Sequence, residues 1–138
     1  MQISGSCGCG AIQFTIDGPP GVMGSCHCSR CRKFGASTIV FVKRGQFTLR
    51  AGQAEIRTLT PKPPYRYARS FCGQCGTALG EPMSDADTFP INAQCLDDDP
   101  GLQVAFHEFV ADRLAWMPAP TDAPVHDKHP SQTKEHTK

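Results

Sequence analysis

Seven of the eight cysteines of this chain fall into three short clusters, Cys7/Cys9, Cys26/Cys28/Cys31 and Cys72/Cys75. The spacings are C-x-C, C-x-C-x-x-C and C-x-x-C. Thiols this close in sequence are poor disulfide partners for one another and good ligands for a single ion. Zn²⁺ takes thiolate sulfur in tetrahedral array at roughly 2.3 Å per bond. A fold built on this sequence must therefore bring distant clusters to common centres.

A closed tetrahedral site takes four ligands. The C-x-C and C-x-x-C pairs supply that number, so Cys7, Cys9, Cys72 and Cys75 are expected to share one structural zinc. Glycines flank both pairs (Gly8, Gly10, Gly73, Gly76), as tight ligand turns require. Such a site would pin strands far apart in the chain and stabilise a modest core. A different partition joins Cys72 and Cys75 to the triple, but it leaves Cys7 and Cys9 without partners and ranks second.

The triple Cys26-His27-Cys28-Ser29-Arg30-Cys31 is left with three thiols. Three protein ligands and a free fourth position describe a zinc that can do chemistry. Zinc would deprotonate an incoming thiol at neutral pH. Two residues are candidates to close the site instead, His27 and Cys95. In an extended segment the His27 ring points away from its neighbours' side chains, which favours a supporting role. Cys95 precedes an acidic turn and reads as a buried free thiol. A third reading keeps the triple metal-free and redox-active.

The length, 138 residues, fits one domain. Net charge is +1 and the basic residues are scattered, so no nucleic-acid partner is expected. Met1–Gly5 has neither a basic nor an apolar signal-peptide region, and no apolar run approaches a bilayer span, so no membrane partner is expected. Clustered thiols without a secretory signal point to the cytoplasm and to metal rather than disulfides.

Alternation places Ile12, Phe14 and Ile16 on one face of a strand over 11–17. Further strands are predicted at 22–25, 36–42, 46–50, 55–60, 65–71, 77–80, 89–93 and 103–110. The 36–42 strand is apolar on both faces near its end and is expected to be central. Residues 29–34 predict one helical turn, with Ser29 near its cap. Helical periodicity is otherwise nearly absent. The expected class is mainly β, with zinc-stapled antiparallel sheets and at most one or two short helical turns. A zinc-binding domain is expected over 1–117. Residues 118–138 are polar, and from Thr121 they predict a disordered or loosely held tail whose His126, His129 and His136 are solvated.

Three segments together resemble the glutathione-dependent formaldehyde-activating enzyme family, which includes centromere protein V-like proteins. They are Gly5-Ser6-Cys7-Gly8-Cys9-Gly10-Ala11, Cys26-His27-Cys28-Ser29-Arg30-Cys31-Arg32-Lys33 and Phe71-Cys72-Gly73-Gln74-Cys75-Gly76-Thr77. Leu96-Asp97-Asp98 resembles the family's leucine–aspartate turn, and Leu114-Ala115-Trp116 its carboxy-terminal tryptophan segment. Residues 3–117 share the likeness, in order. Cys95 departs from it, standing where the family usually has a small residue, and the 81–88 loop is brief.

The resemblance implies an Mss4-like (β-tent) fold. It implies a structural zinc on Cys7, Cys9, Cys72 and Cys75 and a catalytic zinc on Cys26, Cys28 and Cys31, two zinc ions per chain. It also implies carbon–sulfur lyase chemistry on a small-molecule thiol adduct such as S-hydroxymethylglutathione. Arg30, Arg32 and Lys33 stand beside the triple as candidate contacts for substrate carboxylates. The competing reading is a non-catalytic scaffold in which both zincs only hold the fold.

Overall fold

The computed structural model describes residues 1–65 and 67–130. Among them two sheets carry the chain. A three-stranded antiparallel sheet runs in the order β1 (Gln2–Ser6), β2 (Gln13–Asp17), β5 (Phe47–Ala51). The larger sheet has seven strands. In spatial order they are β10 (Val104–Glu108), β3 (Met23–Cys26), β4 (Thr38–Lys43), β9 (Thr88–Asn92), β8 (Ala78–Gly80), β7 (Arg69–Cys72) and β6 (Ile56–Leu59). The α-helix among these residues is α1 (Ser29–Phe34). The class is mainly β, as the alternation predicts.

The core forms where the two sheets meet. Ile3, Ile12, Phe14 and Ile16 come from the small sheet and its connections, and Val40, Val42, Leu79, Phe89 and Ile91 from the large one. Phe47 joins them, its ring 5.2 Å from Phe14 and 5.4 Å from Phe89. Ring contacts of this kind add to the apolar burial that drives the packing. β4 is central, between β3 and β9. It buries Val40 and Val42 in the core and turns Ile39 and Phe41 to the other face, where they line a cavity beside Cys31.

Four features differ from the sequence expectation. β1 is a strand although only Ile3 among its residues is large and apolar. It is held by pairing with β2 and by the Phe14 ring, which lies where a Cβ on Gly5 would stand. β10 pairs with β3 in parallel, so the large sheet is mixed rather than antiparallel. β7 starts only at Arg69. The polar segment after 120, expected as a loose tail with solvated histidines, lies along β10 as far as it is described, held by backbone hydrogen bonds and by the Asp122 and His129 side chains. His136 lies outside the described residues.

The acidic turn also has a structural task. Asp97 accepts from the Ser6 hydroxyl at 2.9 Å and donates its amide to the Ser4 carbonyl at 2.7 Å. Asp98 accepts from the Ser4 amide at 2.8 Å. The turn thus anchors β1 just before Cys7.

Candidate metal centres

β1 and β7 each end in a thiol turn. After β1, the Gly10 amide donates to the Cys7 carbonyl (3.0 Å), and Gly10 takes a positive φ of 80°. After β7, the Gly76 amide donates to the Cys72 carbonyl (2.8 Å), with Gly76 at φ 81°. Only glycine adopts this region without steric cost. Thr77 ties the turns together. Its hydroxyl oxygen accepts from the Gly8 amide at 2.9 Å and lies 3.1 Å from Cys75 Sγ.

Four ligand sulfurs, of Cys7, Cys9, Cys72 and Cys75, gather within 4.8 Å of one another. Cys7 to Cys9 is 3.6 Å and Cys9 to Cys72 is 3.8 Å. A tetrahedron with bonds of roughly 2.3 Å has edges of roughly 3.8 Å. The donors therefore fit a zinc ion in spacing as well as in chemistry, and all eight cysteines are free of disulfides.

This centre's thiols differ in proton affinity. Cys75 is lowered to about 5, first by the Thr77 hydroxyl and then by the amides of Thr77 and Cys9. For Cys9 the Ala11 amide acts to lower the value, but Cys7, burial and the other thiols outweigh it and raise Cys9 to about 11. Thr77→Val should thus raise the proton affinity of Cys75, so protons compete better with metal. We expect roughly tenfold weaker zinc binding at this centre and acid release of metal at a higher pH than in the wild type. Chelator competition across a pH series measures both.

The second centre is built around α1. Cys28 caps the helix, its sulfur accepting from the Cys31 amide at 3.3 Å. The cap is this thiol and not Ser29, because Cys28 retains extended backbone (ψ 155°) while Ser29 is already helical. Gly35 ends the helix at φ 83° and bonds back to the Cys31 carbonyl. The sulfurs of Cys26, Cys28 and Cys31 lie within 4.8 Å of one another, all three buried. Phe109 packs against them in a left-handed conformation, φ 55°. For a bulky residue this costs on the order of 1–3 kcal/mol, which its surroundings must offset.

Neither candidate fourth ligand is part of this thiol group. The His27 ring turns away to His107, with Nε2 2.9 Å from His107 Nδ1. Burial, then the charges of His107 and Arg113, lower its pKa. Cys95 belongs to the main core and its thiol donates to the Ala78 carbonyl at 3.0 Å. Burial raises it to about 11.

Arg69, which sequence reasoning missed, points both Nη atoms at Cys31 Sγ, each at 3.5 Å. It lies at the start of the strand that ends in Cys72, so β7 touches both centres. Its Nε is buried without a hydrogen bond. Arg69 and Cys31 line one cavity with Ala36, Ile39 and Phe41. Arg69 also lines a neighbouring cavity of about 360 Å³ with Lys33 and Phe34. Of the basic residues after Cys28, Lys33 thus reaches a cavity, while the Arg30 guanidinium stacks 4.1 Å over the Tyr65 ring. Trp116 is exposed.

The chain matches the family model described as glutathione-dependent formaldehyde-activating enzyme over residues 2–112. It is 34% identical over 90 residues to a Halomonas elongata protein bearing the same family name, covering 57% of this chain and 55% of that protein. The chain thus spans about half the length of that curated relative. Its fold is similar to a Rhodobacter sphaeroides crystal structure at TM-score 0.58 and 21% identity, over 70% of this chain and 89% of that one. No described helix is long and apolar enough to cross a membrane. With its thiols gathered in two groups and the family model matched along most of its length, this chain belongs to the glutathione-dependent formaldehyde-activating enzyme family.

Proposed function

We propose that the chain is a cytoplasmic zinc-dependent enzyme that makes and breaks the carbon–sulfur bond of a thiol adduct, S-hydroxymethylglutathione being the first candidate. Cys7, Cys9, Cys72 and Cys75 hold a structural zinc, and Cys26, Cys28 and Cys31 hold a catalytic one. The observation that carries this reading is the inequality of the groups. One has four sulfurs and the other three, and Cys31 of the smaller group lines a cavity. A zinc ion bound there supplies a Lewis acid that lowers the pKa of a thiol.

The chain's own residues do the rest. Arg69 puts a fixed positive charge at Cys31 and at the cavity, where it offsets the charge of several thiolates and favours one more anionic sulfur. Ile39, Phe41 and Ala36 give an apolar lining that limits water around the reacting carbon. Lys33 offers a second positive charge within reach of a substrate carboxylate. In the lyase direction the C–S bond breaks with its electron pair on sulfur. The adduct's hydroxyl proton leaves to solvent, and that oxygen closes the aldehyde C=O bond. Addition is the reverse.

The test is turnover of S-hydroxymethylglutathione by the zinc-loaded protein, with formaldehyde followed by NMR. Release faster than without protein, abolished in Cys28→Ser, supports the proposal. A rate equal to the uncatalysed one supports the scaffold reading, which is favoured by the near-complete burial of the three thiols (1–5% exposed). Arg69→Gln should weaken glutathione binding to the cobalt-loaded protein by about tenfold or more, because a hydrogen bond to a charged group contributes about 1.5–3 kcal/mol. The shift of the cobalt–thiolate absorption on glutathione titration reads it.

A further inference from the structure

The family match ends at residue 112, yet the chain beyond it returns to the second centre. Residues 122–129 run along the outer edge of β10, with a parallel bridge between His107 and Val125. The His107 and Phe109 amides donate to the carbonyls of Pro124 (2.8 Å) and Lys128 (3.1 Å). The His126 amide donates to the His107 carbonyl and the Val110 amide to the His126 carbonyl, at 2.8 and 3.0 Å.

Two side chains of this segment land on buried polar groups of β10. Asp122 Oδ1 lies 2.8 Å from His107 Nε2, and His129 Nδ1 lies 2.8 Å from Glu108 Oε1. His107 is 7% exposed and Glu108 5%. From His107 the contact continues to His27, which stands between Cys26 and Cys28. The His27 amide in turn donates to the Glu108 carbonyl at 2.9 Å. The same segment braces Phe109, the residue in left-handed conformation against the thiols. The His129 ring meets it edge-on at 4.9 Å, and the Lys128 ammonium lies 5.7 Å from its centroid.

We propose that residues 121–130 form a strap that completes the second centre, with Asp122 and His107 as positioning residues that fix the His27 ring and, with it, the turn carrying Cys26 and Cys28. The hydrogen-bond logic is directional. A carboxylate only accepts, so His107 carries its hydrogen on Nε2. A neutral His107 then accepts at Nδ1 from His27 Nε2–H, which leaves the His27 lone pair on Nδ1. One exposed carboxylate thereby sets the tautomer of two rings. A ring held in one tautomer and one rotamer restrains the backbone on which the flanking thiols sit. This role holds whether the second centre is catalytic or only structural.

The test is Asp122→Ala in the full chain loaded with zinc. Asp122 is exposed, so the fold and the four-thiol centre should persist, read by thermal melting and metal content. Long-range ¹H–¹⁵N NMR should show the His27 and His107 rings losing their single Nε2–H tautomer. Chelator competition should show roughly tenfold weaker metal binding at the second centre. Asp122→Asn, whose amide oxygen still accepts, should restore most of both. Unchanged ring tautomers and unchanged affinity in Asp122→Ala overturn the proposal, as does an asparagine variant no better than alanine. If the alanine variant unfolds, scrambled tautomers in a folded Asp122→Asn overturn it equally. No readout involves turnover, so the strap and the enzyme reading fail separately.

Discussion

Cys72→Ser is expected to leave the chain largely unfolded, poorly soluble and short of one metal ion. Cys72 is 1% exposed and lies in the main core at the end of β7, between β6 and β8. Its sulfur joins a turn from the other sheet, 3.8 Å from Cys9. Structural zinc contributes about 10–16 kcal/mol in small zinc-dependent folds, and a domain's whole stability is about 5–15 kcal/mol. Losing one ligand of four removes enough of the first to exhaust the second. Cys95→Ser is the control. It replaces a sulfur of the same core whose hydrogen bond to the Ala78 carbonyl a serine hydroxyl can keep. Its cost should stay below about 2 kcal/mol. Urea denaturation with metal analysis measures both variants.

Cys28→Ser is expected to behave in the opposite way, folded but lacking the second metal and without turnover. The difference arises from the helix cap. Cys28 caps α1 through its side chain, and serine is among the best residues at that position. The substitution therefore keeps the local fold while replacing a thiolate by a poor ligand for zinc. A melting temperature within a few degrees of the wild type, with metal content reduced from about two to about one, is the expected result. Unfolding equal to that of Cys72→Ser would mean that both centres are structural.

Much of this arrangement can be read from residues alone. Ile12, Phe14 and Ile16 alternate and are all buried, and the apolar run that forms β4 does lie inside the sheet, between β3 and β9. Counting thiols by cluster also predicts which four meet. The features that escape such reading depend on partners distant in sequence. Arg69 looks like any strand arginine until α1 brings Cys31 against it. Thr77 looks like the residue after a knuckle until the Gly8 amide arrives. β1 has too few apolar residues to show a period, and its place depends on Phe14 and the Asp97 turn. The segment after 120 has the composition of a tail, because an edge segment docked by backbone hydrogen bonds and two polar side chains needs few apolar residues. The parallel pairing of β3 and β10 has no local signature either, since it joins segments about eighty residues apart.

On the proposed function, one centre is closed by four thiols and the other holds three with room for a substrate sulfur. Zinc X-ray absorption on the fully loaded protein, before and after adding glutathione, tests it most directly. The expected result is a mean of between three and four sulfurs per zinc, rising to about four with glutathione and unchanged by it in Cys28→Ser. A mean of four sulfurs from the outset, indifferent to glutathione, would contradict it.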